Sequence, residues 1–401
     1  MNTGYKKLAT FSGLPTFAQP LHVGRPNVGD RERLLARLED MLDRRWFSND
    51  GPFVKEFEAK VASIAQTTHC VAMCNATVAL EIAIRALEMK GEVIVPSYTF
   101  VATAHALQWQ EITPVFADID PATHNLDPRS IERVISSKTS GILGVHLWGR
   151  PCDTEAIERI GGDYGLKVMY DAAHALACSH QCRMVGGFGE CEVFSFHATK
   201  FINAFEGGAI VTNNDDLATR LRFMRNFGFS GYDKVSYLGV NGKMTEACAA
   251  MGLTSLESLD EILQVNKSNY EAYEKCLSGM PGVSLIRYNR DESNNYQYIV
   301  LAVDPEVAPL NRDEVVSVFH AENVLARKYF WPGCHRMEPY RSLQPNADLL
   351  LPNTESVASR ICLLPTGQTV DAGMIQSIAE ILETAFESAG EVKDALRKRS
   401  Q

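Results

Sequence analysis

One lysine, Lys200, stands in the stretch VFSFHATKFINAFEGGAIV among aromatic, small and apolar residues. Lysine is seldom fully buried unless something pairs with it or uses it. Burial disfavours the ammonium, so a lysine in this setting sheds its proton and becomes a nucleophilic amine. Asp171 precedes it by 200 − 171 = 29 positions, directly after the apolar run of VMYDAAH and before two alanines. A carboxylate leaving a strand among small residues either faces a ligand or caps the segment that follows. The strand-like EVFSF between the two puts an acid and a lysine on neighbouring strands. That pairing suits pyridoxal phosphate: the lysine forms the Schiff base, and the carboxylate pairs with the protonated ring nitrogen and keeps the ring an electron sink. The plain alternative is a surface lysine whose stem lies along apolar neighbours. Ser195, His197, Thr199 and Glu206-Gly207-Gly208 argue against it, because small residues admit a bulky cofactor.

A phosphate needs its own cradle. CVAMCNATVALEIAIRAL reads as a strand, a small-residue turn and a helix opening near Thr77. A helix N-terminus offers free N–H donors and a favourable dipole to an anion. Ala76 and Thr77 are therefore candidate ligands, with Ser195 donating from the opposite side; the competing reading makes Thr77 a helix cap only. VIVPSYTFVATAHAL places Tyr98 and Phe100 just past a strand, where either ring can stack on a pyridine or simply fill the core. HALACSHQC contains His174, Cys178, His180 and Cys182, all potential metal ligands, but no second Cys/His pair matches them. No metal site is expected, and the segment reads as a hairpin with incidental thiols. His174, three residues after Asp171, is placed on the cofactor's hydroxyl side.

These residues need a scaffold that presents strand ends. Short apolar runs alternate with amphipathic helices from HCVAMC through EVIVP, TPVFADID and GILGVHL to LKVMYDAA, with helices from Thr77, about Thr99, Pro128 and Thr154. Repeated alternation of this kind predicts βαβ units on a mainly parallel sheet with helices on both faces, and ligands bind at the carboxyl ends of such strands. The pattern turns continuously helical from about Met244 to Leu277. It then gives VSLIRY, YQYIVLAVD, a helix from Arg312, NVLARKYF and a last helix from about Ala372. Residues 1–265 are expected to form an N-terminal arm and a large α/β domain, and residues 266–401 a smaller α+β domain.

The totals narrow the class. With 45% hydrophobic and 22% charged residues the composition is that of a globular chain. A formal charge of −10, with no long basic run outside the terminal KDALRKRSQ, argues against nucleic acid as a partner; that tail reads as a solvated helix end. MNTGYKKLATFSGLPTFAQP lacks the apolar core of about 7–15 residues that a signal peptide needs, and no run reaches the roughly 18 apolar residues of a membrane span. A cytoplasmic protein without a membrane partner is expected, its ten scattered cysteines reduced.

The ordered motifs EVIVPSYTFVATAHA, GVHLWGRP, YDAAHALA, FSFHATK with FEGGAIVT, GVNGKMTEACAAMGL and LPNTESVASRICLLPTG resemble the DegT/StrS-type nucleotide-sugar aminotransferases, a fold-type-I pyridoxal-phosphate family. PLHVGRPNVGDRERL, RRWFSNDGP and PGCHRMEPYR are similar to the branch that aminates carbon 4 of dTDP-4-keto-6-deoxyglucose. The resemblance implies pyridoxal 5'-phosphate as cofactor, glutamate as amino donor, a dTDP-sugar as acceptor and dTDP-4-amino-4,6-dideoxyglucose as product. It assigns Lys200 to the Schiff base, Asp171 to the ring nitrogen, Ser195 and Thr77 to the phosphate, Phe100 to ring stacking and His174 to a position beside the ring. It further implies a homodimer in which Asn241 reaches the neighbouring subunit's cofactor phosphate, and contacts from Lys243 and His335 to the nucleotide-sugar end. Amination at carbon 3 is the near alternative, and a non-catalytic cofactor- or sugar-binding regulator the distant one. Three positions depart from the family's pattern: Ala76 replaces a common glycine, Phe205 heads the usual Gly-Glu-Gly-Gly, and Lys243 replaces an arginine, losing bidentate pairing but keeping charge.

Overall fold

The computed structural model describes residues 8–11 and 13–399. The first part of the arm and the last two residues of the basic tail lie outside the described residues, and the tail is helical up to Arg399.

Seven strands form the central sheet: β1 (His69–Met73), β2 (Glu92–Pro96), β3 (Thr113–Ala117), β4 (Thr139–Val145), β5 (Lys167–Asp171), β6 (Glu192–Ser195) and β7 (Gly208–Thr212). Their spatial order is β1-β7-β6-β5-β4-β2-β3. The order jumps between neighbours because parallel strands need helical crossovers; the strands are parallel except β7, which runs against both β1 and β6. These strands read as near-continuous apolar runs because both of their faces are covered. On β1, Val71 and Met73 pack on one side of the sheet and Cys70 and Ala72 on the other. One face is covered by α1 (Arg31–Arg44), α2 (Pro52–Ala65) and α8 (Glu246–Glu257), the other by α3 (Ala76–Ala86), α4 (Ala102–Gln108) and α7 (Asp215–Arg225). Between α4 and α7, α5 (Pro128–Val134) and α6 (Thr154–Tyr164) complete the crossovers. The expected mainly parallel sheet with helices on both faces is present.

The helical stretch after Met244 is two helices, α8 and α9 (Leu259–Cys276), broken at Ser258. Along α9 the hydrophobic partners change: Ile262 packs in a core under the large sheet, while Tyr270 and Tyr273 belong to a second core. That second core surrounds an antiparallel sheet of β8 (Val283–Leu285), β9 (Ile299–Val303) and β10 (Ile361–Leu364), flanked by α10 (Arg312–Ala321) and the helix Ala372–Glu387. Two expectations change here. β10 is a strand that the sequence pattern did not separate from its surroundings, and NVLARKYF supplies only the two-residue strand Val324–Leu325. The arm touches both units: Leu21–His22 pairs in parallel with Val324–Leu325 and the Glu322 carboxylate accepts from the Thr16 N–H and hydroxyl, while the Asn27 side chain donates to the Phe201 carbonyl and the Asn27 backbone carbonyl accepts from the Asn203 side chain. Among the described residues no helix is long and apolar enough to cross a membrane.

Candidate active site

A cavity of about 520 Å³ opens at the carboxyl ends of the parallel strands, where ligands of such sheets bind. Asp171 ends β5 and Ser195 ends β6, while the turn after β1 carries Asn75, Ala76 and Thr77; all of them line the cavity. Because β7 is antiparallel, its first residue, Gly208, lies at the same edge, paired with Met73 on one side and Ser195 on the other. A Cβ on Gly208 would stand 2.5 Å from the Asn75 carbonyl carbon and 2.6 Å from the Ala76 nitrogen. The glycine thus lets the turn close down against the sheet.

That turn is built as an anion cradle. The Asn75 side chain, and not Thr77, caps α3 by accepting from the Val78 N–H at 2.8 Å. The N–H groups of Ala76 and Thr77 find no acceptor among the described residues, so they point their donors and the helix dipole at the cavity. Ala76 begins the helix without a positive φ, so the alanine in place of glycine is accommodated, whereas Phe205 does sit in the left-handed region at φ 60°.

The Asp171 carboxylate is nearly inaccessible to solvent at 6% and is fixed by two donors, the Ala173 N–H to Oδ1 at 3.1 Å and the Thr103 hydroxyl to Oδ2 at 2.9 Å. Thr99 in turn lies 3.0 Å from the Thr103 hydroxyl. Burial raises the Asp171 pKa, against the pull of these donors and of Lys200. A cation placed opposite it would reverse that shift. Burial likewise lowers the Lys200 amine from 10.5 to about 8, with Asp171 opposing. Lys200 Nζ donates to the Tyr298 hydroxyl at 3.3 Å.

His174 is buried, and its Nδ1 accepts the Trp148 N–H at 3.3 Å, which leaves the ring proton on Nε2. Burial first, and Lys200 second, push its pKa well down, so the imidazole is neutral. Its ring lies near-parallel to those of Trp148, at 5.8 Å and 18°, and Phe330, at 6.0 Å and 14°, which are themselves 5.3 Å apart, so the three form a cluster. The two aromatic candidates separate cleanly. Tyr98 is fully buried and donates its hydroxyl to the Tyr329 carbonyl, whereas Phe100 is 57% exposed on the cavity wall, 6.3 Å from Phe330.

Ala76, Thr77, Phe100, Asp171, His174, Ser195 and Lys200 therefore converge on one cavity. Three expected site residues do not line it. Asn241 is exposed beyond it, and Lys243 donates to Asn226 Oδ1 at 2.9 Å with its ammonium 4.8 Å from the Phe227 ring centre. His335 is 2% exposed, with Nδ1 2.6 Å from the Ser97 hydroxyl and Nε2 2.6 Å from Glu355 Oε1. Both ring nitrogens are engaged, so the ring joins the β2 end to the C-terminal segment. The thiol segment is a hairpin, Ser179–His180 against Arg183–Met184, with Cys182 exposed in its turn and Cys178 buried. A second hollow of about 500 Å³, bounded by residues 186–191 and 212–216, lies at the other end of the strands.

Several lining residues escaped the sequence reading. Asn75 carried a local signal, a cap residue before a helix, and Thr103, behind the wall, reaches Asp171 from the first turn of α4. Tyr298, Tyr329 and Phe330 come from the C-terminal unit, and nothing local in the sequence links them to Lys200.

The DegT/DnrJ/EryC1/StrS aminotransferase family model matches residues 29–383. The chain is 36% identical to the dTDP-4-amino-4,6-dideoxy-D-glucose transaminase of Shigella dysenteriae, over 91% of this chain and 98% of that protein. It is 33% identical to the GDP-perosamine synthase of Caulobacter vibrioides, over 80% of this chain and 87% of that one. A solved structure of DesI in the presence of its TDP-sugar product superposes with a TM-score of 0.94 at 47% identity, covering 98% of this chain and all of DesI. With a strand-end carboxylate and, in the turn after the next strand of the sheet, a lysine facing the same cavity, this chain belongs to the DegT/DnrJ/EryC1/StrS aminotransferase family.

Proposed function

We propose that the protein transfers the amino group of glutamate to carbon 4 of a dTDP-4-keto-6-deoxyhexose, giving dTDP-4-amino-4,6-dideoxyglucose, with pyridoxal phosphate as cofactor. One observation carries the reading: a single cavity holds an amine lowered to about 8, a buried carboxylate fixed by two donors, and an open helix N-terminus. The relatives' names support the substrate class.

The residues fit the cofactor. The Ala76 and Thr77 N–H groups, the Thr77 hydroxyl and the Ser195 hydroxyl would hold its phosphate, with Gly208 keeping that cradle closed. Phe100 would cover one ring face, His174 would lie beside the ring, and Asp171 would hold the ring nitrogen protonated. Bound pyridoxal phosphate supplies a carbonyl that condenses with amines and a ring that accepts the electron pair released when a carbon gives up its proton. Lys200 would anchor the cofactor, and its free Nζ would move the substrate proton as general base; an amine near 8 is partly neutral at working pH and so suits that task. Asp171, ionised by a cation beside it, favours loss of the substrate proton. His174, neutral, presents Nε2–H as a donor. The second half-reaction runs the same proton movement in reverse on the sugar.

Asn241 lies outside its own subunit's cavity, which fits a homodimer in which it reaches a neighbour's cofactor phosphate; Lys243 is kept as a contact for the sugar nucleotide on the same basis. The division at 265/266 falls within α9, where the hydrophobic partners change.

The test is visible absorbance of the cofactor-loaded protein, followed through glutamate and then dTDP-4-keto-6-deoxyglucose. A band that glutamate bleaches and the sugar restores supports the proposal. Bleaching without restoration by this sugar keeps the aminotransferase and discards the acceptor.

A further inference from the structure

We infer that Tyr298 is a positioning residue for Lys200: its hydroxyl holds the lysine's amine in the cavity whenever that amine is free. The inference rests on the proposed role of Lys200. Among the described residues, the Tyr298 hydroxyl is the hydrogen-bond partner of Nζ, at 3.3 Å, and Nζ lies 5.8 Å from the phenol ring centre. Tyr298 reaches Lys200 from the C-terminal unit, immediately before β9, the middle strand of its sheet.

The phenol is held rigidly. Its ring meets Trp148 edge-on at 5.5 Å and 77° and His174 at 4.7 Å and 61°, and its own carbonyl accepts the Tyr288 hydroxyl at 3.2 Å. A side chain that adjoins a strand, packs on two rings and has its own carbonyl bonded positions a partner better than one free on a loop. Burial pushes the phenol's pKa up, so it stays protonated. A neutral phenol serves both states of the amine: its oxygen accepts from the ammonium, and its O–H donates to the free base. A lysine that must leave and rejoin a covalent bond has four rotatable stem bonds to order each time, and one fixed partner limits where it goes. Tyr298 thus joins the C-terminal unit to the reacting atom.

The test is Tyr298→Phe, which keeps the ring contacts and removes one oxygen. In cofactor-free protein, acylation of Lys200 followed over pH by peptide mass spectrometry reports the amine's titration. The native midpoint is expected near 8. The variant's midpoint should fall by about one unit, since the ammonium loses a charge-assisted bond. In loaded enzyme kcat should fall about 10- to 100-fold, with KM for glutamate within about two-fold. An unchanged midpoint and unchanged kcat overturn the inference. A reciprocal measurement leaves Tyr298 intact: in protein carrying ring-labelled tyrosine, the Tyr298 Cζ resonance should follow the amine's titration and lose it in Lys200→Met. A resonance indifferent to Lys200 overturns it equally. Should native protein form no visible band with pyridoxal phosphate, the role of Lys200 has failed; a native band with an unaltered Phe variant means that only the role of Tyr298 has.

Discussion

Gly208→Ala tests the cradle by adding a single carbon. That carbon would stand 2.5 Å from a backbone carbon of Asn75, where ordinary contact begins at 3.4 Å, a shortfall of 3.4 − 2.5 = 0.9 Å. Strand β7 cannot retreat, because Gly208 is held in register by Met73 on one side and Ser195 on the other. The turn must move, and with it the N–H groups of Ala76 and Thr77. Donors that bond at about 2.7–3.2 Å lose the bond when displaced by close to an ångström. Losing one charge-assisted bond to a phosphate costs about 1.5–3 kcal/mol, which at 1.4 kcal/mol per decade is roughly a 10- to 100-fold loss of affinity. Titration of cofactor-free protein with pyridoxal phosphate, read by quenching of tryptophan fluorescence, measures it directly, since Trp148 stacks on His174 in the site. Gly162→Ala is the control: it lies in α6, its added Cβ meets nothing within 4 Å, and affinity should be unchanged. Native affinity in Gly208→Ala would refute the cradle as described.

Asp171→Asn should leave the visible band in place, because Lys200 is intact, while turnover falls about 100-fold or more; stopped-flow bleaching by glutamate separates the two effects. The amide must also turn an NH₂ toward either the Ala173 N–H or the Thr103 hydroxyl, which now donate to the carboxylate. His335→Ala removes the buried ring that joins Ser97 to Glu355, while Glu355 keeps its pairing with Arg336 and the Ser97 hydroxyl keeps the residue-335 N–H; it should cost about 1–3 kcal/mol in urea unfolding, with the absorbance band unaltered. The pH dependence has a definite sign. Steps that need the neutral Lys200 amine should rise with pH and level off above about 8. The native amine releases its proton near 8 and the unfolded one near 10.5, so between those values the unfolded chain binds more protons. The destabilising contribution of Lys200 is full below about 8 and shrinks toward 10.5; urea midpoints of Lys200→Met should lack that rise.

Legibility in the sequence followed locality. Lys200, Asp171, Ser195 and Thr77 stand at strand ends or the turn that follows, within segments whose apolar runs and small residues announce them, and the parallel-sheet rule says where strand ends meet. The choice between Tyr98 and Phe100 needed burial, which two positions of one strand-to-helix turn do not reveal. Tyr298 and Phe330 were invisible because their partners lie about a hundred residues away in the chain or more, in a unit whose docking no motif encodes. The surroundings of His335 were hidden in a related way: a motif gives the residue type, but not that Ser97, 238 positions away, and Glu355, 20 positions away, occupy its ring nitrogens. The arm's pairing with Val324–Leu325 was hidden for the same reason, since those residues are three hundred positions away.

The central claim is that Lys200 is the covalent anchor. Incubation with pyridoxal phosphate, reduction with borohydride and peptide mass spectrometry test it most directly. A pyridoxyl group on the peptide holding Lys200, absent from Lys200→Ala, is the expected result. A label on a different lysine, or none on the native protein, would contradict the account.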